Sequence, residues 1–159
     1  PLIAIHPGSG SRQKCWPVER FAGLMSRLSS NMDVQFLVLS GPADDKIIEE
    51  LHLKIGDTFI TANQLPLPHL AAIIAKCRLF IGNDSGITHL AAAVGTPTIA
   101  LFGPTDPQIW GPRGEKVTIL YKKHPGSPCP LDIRKNCFSL SCLNQIEIES
   151  VVKEACNML

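Results

Sequence analysis

The chain has 159 residues, 45% of them hydrophobic and 18% charged, and its 15 Lys plus Arg against 14 Asp plus Glu leave a formal net charge of +1. One domain's length with that apolar content excludes a disordered chain, and near-neutral charge excludes the broad basic field of bulk nucleic-acid binding. No apolar run reaches the roughly 18 residues that a membrane-spanning helix needs.

The first predicted element is a strand over Leu2–His6, reached directly from Pro1. A start inside a strand predicts a piece of a larger protein. The following loop, His6-Pro7-Gly8-Ser9-Gly10-Ser11-Arg12-Gln13-Lys14-Cys15-Trp16-Pro17, joins that strand to a helix. Its glycines, hydroxyls and cations suit an anion cradle, with Ser9 and Lys14 as candidates; a small-residue turn with solvated charges is the alternative. It is no P-loop, because no Gly-Lys-Ser/Thr closes it, and no dinucleotide fingerprint, because position 13 is Gln. Pro17 suits the first helical position, and Phe21, Leu24, Met25 and Leu28 then recur at helical spacing.

A second strand is predicted over Val34–Ser40, then a helix over Asp44–Lys54. Between them, Asp44 or Asp45 either caps the helix or accepts hydrogen bonds from a nucleoside at the strand edge. A strand over Asp57–Thr61 and a helix over Pro68–Lys76 follow.

The strand Arg78–Gly82 leads into Asn83-Asp84-Ser85-Gly86 and a small-residue helix, Ile87–Val94, stopped by Gly95. The open N–H groups of that helix's first turn suit a diphosphate. Ser85 or Asp84 is the candidate N-cap, Gly86 leaves room for a ligand, and His89 reaches an anion from the helix face or packs under the loop. Asp84 orients the loop or contacts a sugar, since a carboxylate beside diphosphate repels it. The Ala run lets the helix lie close to the sheet.

A strand over Thr96–Phe102 enters a turn-rich loop in which Thr105 and Asp106 either line a pocket or build a rigid turn. After a strand over Lys116–Tyr121, the stretch Lys122–Asn144 has no clear periodicity and reads as a loop excursion. It carries His124, Cys129, Cys137 and Cys142, which lack the tight pair spacing of zinc sites, so packed thiols or one disulfide compete with a metal. Cys77 and Cys156 fall in amphipathic stretches and read as small core residues. Six cysteines, Cys15 included, are too sparse for a disulfide scaffold and fit a reduced compartment. A helix over Ile146–Met158 closes the chain.

Strand–helix alternation with continuous apolar strands predicts a doubly wound, mostly parallel α/β sheet of the Rossmann-like kind, with its loops on one rim.

The stretch Asn83-Asp84-Ser85-Gly86-Ile87-Thr88-His89-Leu90-Ala91-Ala92-Ala93, with Gly95-Thr96-Pro97 and Phe102-Gly103-Pro104-Thr105-Asp106-Pro107, resembles the signature of glycosyltransferase family 9, the lipopolysaccharide heptosyltransferases. Pro7-Gly8-Ser9 with Lys14-Cys15-Trp16-Pro17 is similar to that family, as is Cys137-x4-Cys142-Leu143 followed by Ile146 and a helix. The resemblance implies the C-terminal half of a GT-B enzyme. Residues 1–159 would form one nucleotide-sugar-binding domain, and the N-terminal acceptor domain would be absent. It implies that Ser9, Lys14, Asp84, Ser85, Gly86 and His89 hold the donor diphosphate, and that Asp44 or Asp45 holds the nucleoside. It further implies metal-independent, inverting transfer of heptose from ADP-heptose to a lipid-linked lipopolysaccharide core acceptor, with no cofactor. The general base would lie in the acceptor domain, so no catalytic residue is assigned here and the domain alone would be inactive. The implied location is cytoplasmic, at the inner face of the bacterial inner membrane. A sugar-nucleotide epimerase half-domain and a non-enzymatic nucleotide-binding module are the alternatives.

Overall fold

The backbone alternates strand and helix from Leu2 to Tyr121 and ends in helices. In the computed structural model, which describes residues 1–137 and 139–159, the strands are β1 (Leu2–His6), β2 (Gln35–Ser40), β3 (Ile60–Asn63), β4 (Leu79–Asn83), β5 (Thr98–Phe102) and β6 (Val117–Tyr121). The helices are α1 (Val18–Asn31), α2 (Asp45–Ile55), α3 (Leu67–Ile74), α4 (Gly86–Ala93), α5 (Pro107–Trp110), α6 (Leu131–Lys135) and α7 (Ile148–Met158). Each predicted strand and each predicted helix is present, with ends shifted by up to three residues. Pro17 stands one residue before α1, at its N-cap, rather than at the first helical position.

All strand pairs are parallel, in the order β3-β2-β1-β4-β5-β6. The chain winds outward from β1 to β3, then crosses back to place β4 beside β1. That reversal sends the loops that leave β1 and β4 to opposite faces of the sheet, where a doubly wound sheet opens a crevice.

Period-two alternation sends side chains to two separate cores. Ile3, Ile5, Phe36, Val38, Ile81 and Ile99 pack with Phe21, Leu24, Met25 and Leu28 of α1, Leu51 of α2, and Val151 and Ala155 of α7. On the other face Ala4, Leu37, Leu39 and Phe80 pack with Leu70 and Ile74 of α3 and Ala91 of α4. Buried layers on both faces explain the continuous apolar strands. Ala91 is fully buried while Ala93 is exposed, so the close approach of α4 to the sheet rests on one position of the Ala run.

Two expectations are corrected. Lys122–Asn144 contains the short helix α6, and Leu143–Gln145 forms a single tight turn of helix. Cys77 is buried as expected, but Cys156 lies on the exposed side of α7 and is not a core residue. Among the described residues no helix is long and apolar enough to cross a membrane.

Ala91→Leu is expected to cost about 1–3 kcal/mol of stability by overpacking the α4–sheet contact. Ala93→Leu is expected to change it by less than about 0.5 kcal/mol. Urea unfolding of the two variants checks this, and equal effects would contradict the packing.

Candidate functional site: the rim at the ends of β1 and β4

Asn83, the last residue of β4, is fully buried. Its side-chain oxygen accepts the Trp16 backbone N–H at 2.9 Å, and its amide nitrogen donates to the carbonyls of Pro7 at 2.8 Å and Gly8 at 3.3 Å. One side chain thus fixes both ends of the loop after β1. Trp16 adds an anchor of its own, its indole N–H donating to the Ile146 carbonyl at 3.1 Å and its ring meeting Phe21 edge-on at 5.0 Å.

Held in this way, the loop lies against the turn after β4. The Ser9 hydroxyl donates to the Asp84 carbonyl at 2.7 Å. Lys14 places its ammonium 3.3 Å from Asp84 Oδ2, which also accepts the Thr105 hydroxyl at 2.7 Å. Asp84 is buried and Lys14 is partly exposed. The carboxylate therefore holds the cation in place at the rim and leaves its other N–H groups toward solvent.

Ser85 is the N-cap of α4: its hydroxyl accepts the Thr88 N–H at 3.4 Å and lies 3.2 Å from Thr88 Oγ1, which in turn donates to the Asn83 carbonyl. This closes the third N–H of the helix. Among the described residues no group accepts the N–H of Gly86 or Ile87, as the first turn of a helix leaves them. Gly86 is exposed, and a Cβ built there meets nothing within 4 Å, so the space above the turn is open.

On the other side of the switch point, His6 joins two loops. Its Nδ1 lies 3.2 Å from Ser85 Oγ and its Nε2 lies 3.5 Å from Asp44 Oδ2. Asp44 stands at the N-cap position of α2 but caps nothing with its side chain. It turns back instead to accept the Gly41 N–H at 2.8 Å. Gly8 makes this possible, because a Cβ there would fall 2.1 Å from Asp44 Oδ1. Burial pushes the Asp44 carboxyl up, but the hydrogen bonds from His6 and Gly41 and the imidazole charge together hold it below the ordinary range. The expectation that Asp44 caps α2 is thereby replaced by a buried acid–imidazole contact.

The rim therefore gathers Ser9, Lys14, Asp44, Asp84, Ser85 and Thr105 into one chain of contacts. Asp45 is exposed on the first turn of α2 and stays outside it. Asp106 caps α5 by accepting the Gln108 N–H at 2.9 Å, which makes it a turn-building residue. His89 is exposed one turn into α4, above the rim and outside the network. His6 and Asn83 were not singled out as site residues from the sequence; a polar residue closing an apolar strand at the switch point was the available signal.

Among the described residues no group of three His, Cys, Asp or Glu side chains is arranged to hold a metal. The six cysteines are free, and His124 turns onto the Pro125 carbonyl at 2.7 Å. Cys15, beside the rim, has its thiol pushed up to about 11 by burial first and by Asp44 second. Burial of this kind disfavours the thiolate that nucleophilic chemistry needs.

A cavity of about 370 Å³ opens next to this network, lined by His6, Leu39, Gly41, Leu65, Leu70 and Ile87 among others. Ile87 belongs to the first turn of α4, so the cavity and the open helix end are contiguous. A larger cavity of about 620 Å³ lies on the α1–α2 side, between Arg12, Glu19, Asp44 and Lys46.

A parallel sheet of this order defines the doubly wound class of α/β domain, in which ligands bind outside the carboxyl ends of the strands at the switch point. The family model for glycosyltransferase family 9 (heptosyltransferase) matches residues 1–137. Lipopolysaccharide heptosyltransferase 3 of Escherichia coli is 34% identical over 114 residues, which cover 69% of this chain and 33% of that protein. The crystal structure of the family 9 glycosyltransferase from Veillonella parvula superposes with a TM-score of 0.84 at 28% identity, over 99% of this chain and 45% of that one. The E. coli heptosyltransferase WaaC with ADP shares the fold at a TM-score of 0.80 and 20% identity, over 99% of this chain and 44% of its own. This chain belongs to glycosyltransferase family 9, and it spans between a third and a half of the length of these relatives.

Asn83→Ala leaves two carbonyls and one N–H without their partner and is expected to cost about 2–4 kcal/mol, read by urea unfolding. A loss below about 0.5 kcal/mol would contradict the staple. Because the folded Asp44 carboxyl titrates below its ordinary value, its stabilising contribution is present above about pH 4 and is lost as the pH falls further. Wild type is therefore expected to lose more stability than Asp44→Asn between about pH 5 and about pH 3. Parallel pH profiles would contradict it.

Proposed function

We propose that this chain is the donor-binding half of a heptosyltransferase, holding ADP-heptose at the rim between β1 and β4. The observation that carries the reading is the open first turn of α4 with the Lys14 ammonium beside it, pinned by Asp84. Two unpaired N–H groups, the helix dipole and one cation converge where a diphosphate of two to three negative charges would sit. The neighbouring apolar cavity has the size and lining for a planar nucleobase. Asp44 lies where a ribose would link the two, although its contacts with His6 and Gly41 take up one carboxylate oxygen. ADP is the nucleotide named for a heptosyltransferase of the same fold.

On this reading the chain contributes to transfer through the leaving group. As the acceptor hydroxyl attacks the anomeric carbon from the opposite face, with inversion, negative charge grows on the departing β-phosphate. Lys14 and the Gly86 and Ile87 N–H groups stabilise that charge, and they need no reorganisation because Asp84, Thr105 and Ser85 already hold them. His89 adds a further donor from the helix face. Cationic and amide stabilisation of this kind is the role a metal plays in other transferases, and the reading assigns it to the chain itself. The base that takes the hydroxyl proton and the lipopolysaccharide core acceptor belong to a partner domain of the same enzyme, on the cytoplasmic side of the membrane.

Calorimetric titration of ADP is expected to give binding that Lys14→Ala weakens by about tenfold or more, and this chain alone is expected to transfer no sugar. Unchanged binding in the variant would remove Lys14 from the site. A folded wild type that takes up neither ADP nor ADP-heptose would contradict the donor reading.

A further inference from the structure

Gln64 follows the last residue of β3 and has φ +49°, a left-handed backbone that side-chain-bearing residues other than Asn and Asp rarely adopt. Its N–H donates to the Ser40 carbonyl at 2.9 Å, so the end of β2 holds it in place, and Pro66 starts the next helix two residues on. A strained conformation that the surrounding structure enforces points to a function for the residue in it. Gln64 lines the 370 Å³ cavity beside the open end of α4.

The polar groups of that cavity differ in what they have left to offer. His6 spends both ring nitrogens on Ser85 and Asp44. The Ser40 hydroxyl donates to Asn63 Oδ1 at 3.1 Å. The Gln64 amide enters none of these bonds and is exposed to solvent at the cavity wall. It offers one acceptor and two donors in a plane. Leu39, Leu65, Leu70 and Ile87 supply apolar surface for a ring face but read no edge.

We propose that Gln64 reads the nucleobase of the donor. This rests on the donor reading above and adds its specificity-determining residue. Oε1 accepts from the exocyclic amine of adenine while Nε2 donates to the adjoining ring nitrogen, the bidentate pairing in which an amide matches that base. The left-handed backbone is held where Gln64 lines the cavity, so the residue's position at the cavity wall is fixed by the Ser40 hydrogen bond.

Gln64→Gly tests this without breaking the loop, because glycine adopts the left-handed conformation freely. The thermal midpoint is expected to stay within about 4 °C of wild type. ADP affinity is expected to fall roughly tenfold or more, while affinity for inorganic pyrophosphate, which has no base, stays unchanged. Gln64→Asn keeps an amide on a residue that tolerates this backbone and is expected to recover part of the loss. Equal ADP affinity in wild type and Gln64→Gly would overturn the proposal, as would an equal loss for pyrophosphate or an asparagine variant no better than glycine. A wild type that binds pyrophosphate and ADP equally well would overturn base reading while leaving the diphosphate site intact. A wild type that binds neither ligand would remove the donor reading itself, and this proposal with it.

Discussion

The rim depends on one buried amide. Asn83 closes a strand of otherwise apolar residues, and its three hydrogen bonds take up both ends of the loop that leaves β1. A side chain with the same shape and fewer polar atoms would leave Trp16 N–H and two carbonyls buried without partners. With those partners the loop has one position. Ser9 then meets the Asp84 carbonyl, and Lys14 meets the Asp84 carboxylate, because the backbone that carries them has nowhere else to go.

The consequence is electrostatic. A buried carboxylate beside the helix end proposed to hold a diphosphate looks unfavourable, yet Asp84 is shared between Lys14 and Thr105. Its charge is spent on holding the ammonium in place, and the helix end beyond Ser85 keeps its positive partial charge. His6 repeats the pattern across the switch point, linking the acid of the β2–α2 loop to the N-cap of α4. The three loops that converge here, after β1, β2 and β4, are tied together by these contacts.

Most of the architecture was legible in the sequence because each layer leaves a separate periodic mark. Continuous apolar strands announce burial on both faces, and the spacing Phe21, Leu24, Met25, Leu28 announces the helix that covers one of them. The turn through Asp84, Ser85 and Gly86 was legible as the N-terminus of α4 because a strand running into a small-residue helix needs a capping residue there. The rest is set by tertiary contact. Asp44 occupies a capping position in sequence, but a buried imidazole competes for it more strongly than the α2 amides do. Cys156 sits at helical spacing on the wrong side of its helix. His6 and Asn83 show locally only as polar residues closing apolar strands, since the partners that define their roles lie far away in sequence, as Ser85 does from His6 and Pro7 from Asn83. Gln64 has only its φ angle to mark it, and φ is not written in residue type unless the residue is glycine.

The central claim is that the free N–H groups of the α4 first turn receive the diphosphate. Backbone amide NMR of the chain titrated with ADP tests this most directly. The account predicts that the largest shifts fall on the Gly86 and Ile87 amides, with smaller ones along the Lys14 loop. Shifts confined to the larger cavity between α1 and α2, with Gly86 and Ile87 unmoved, would contradict it.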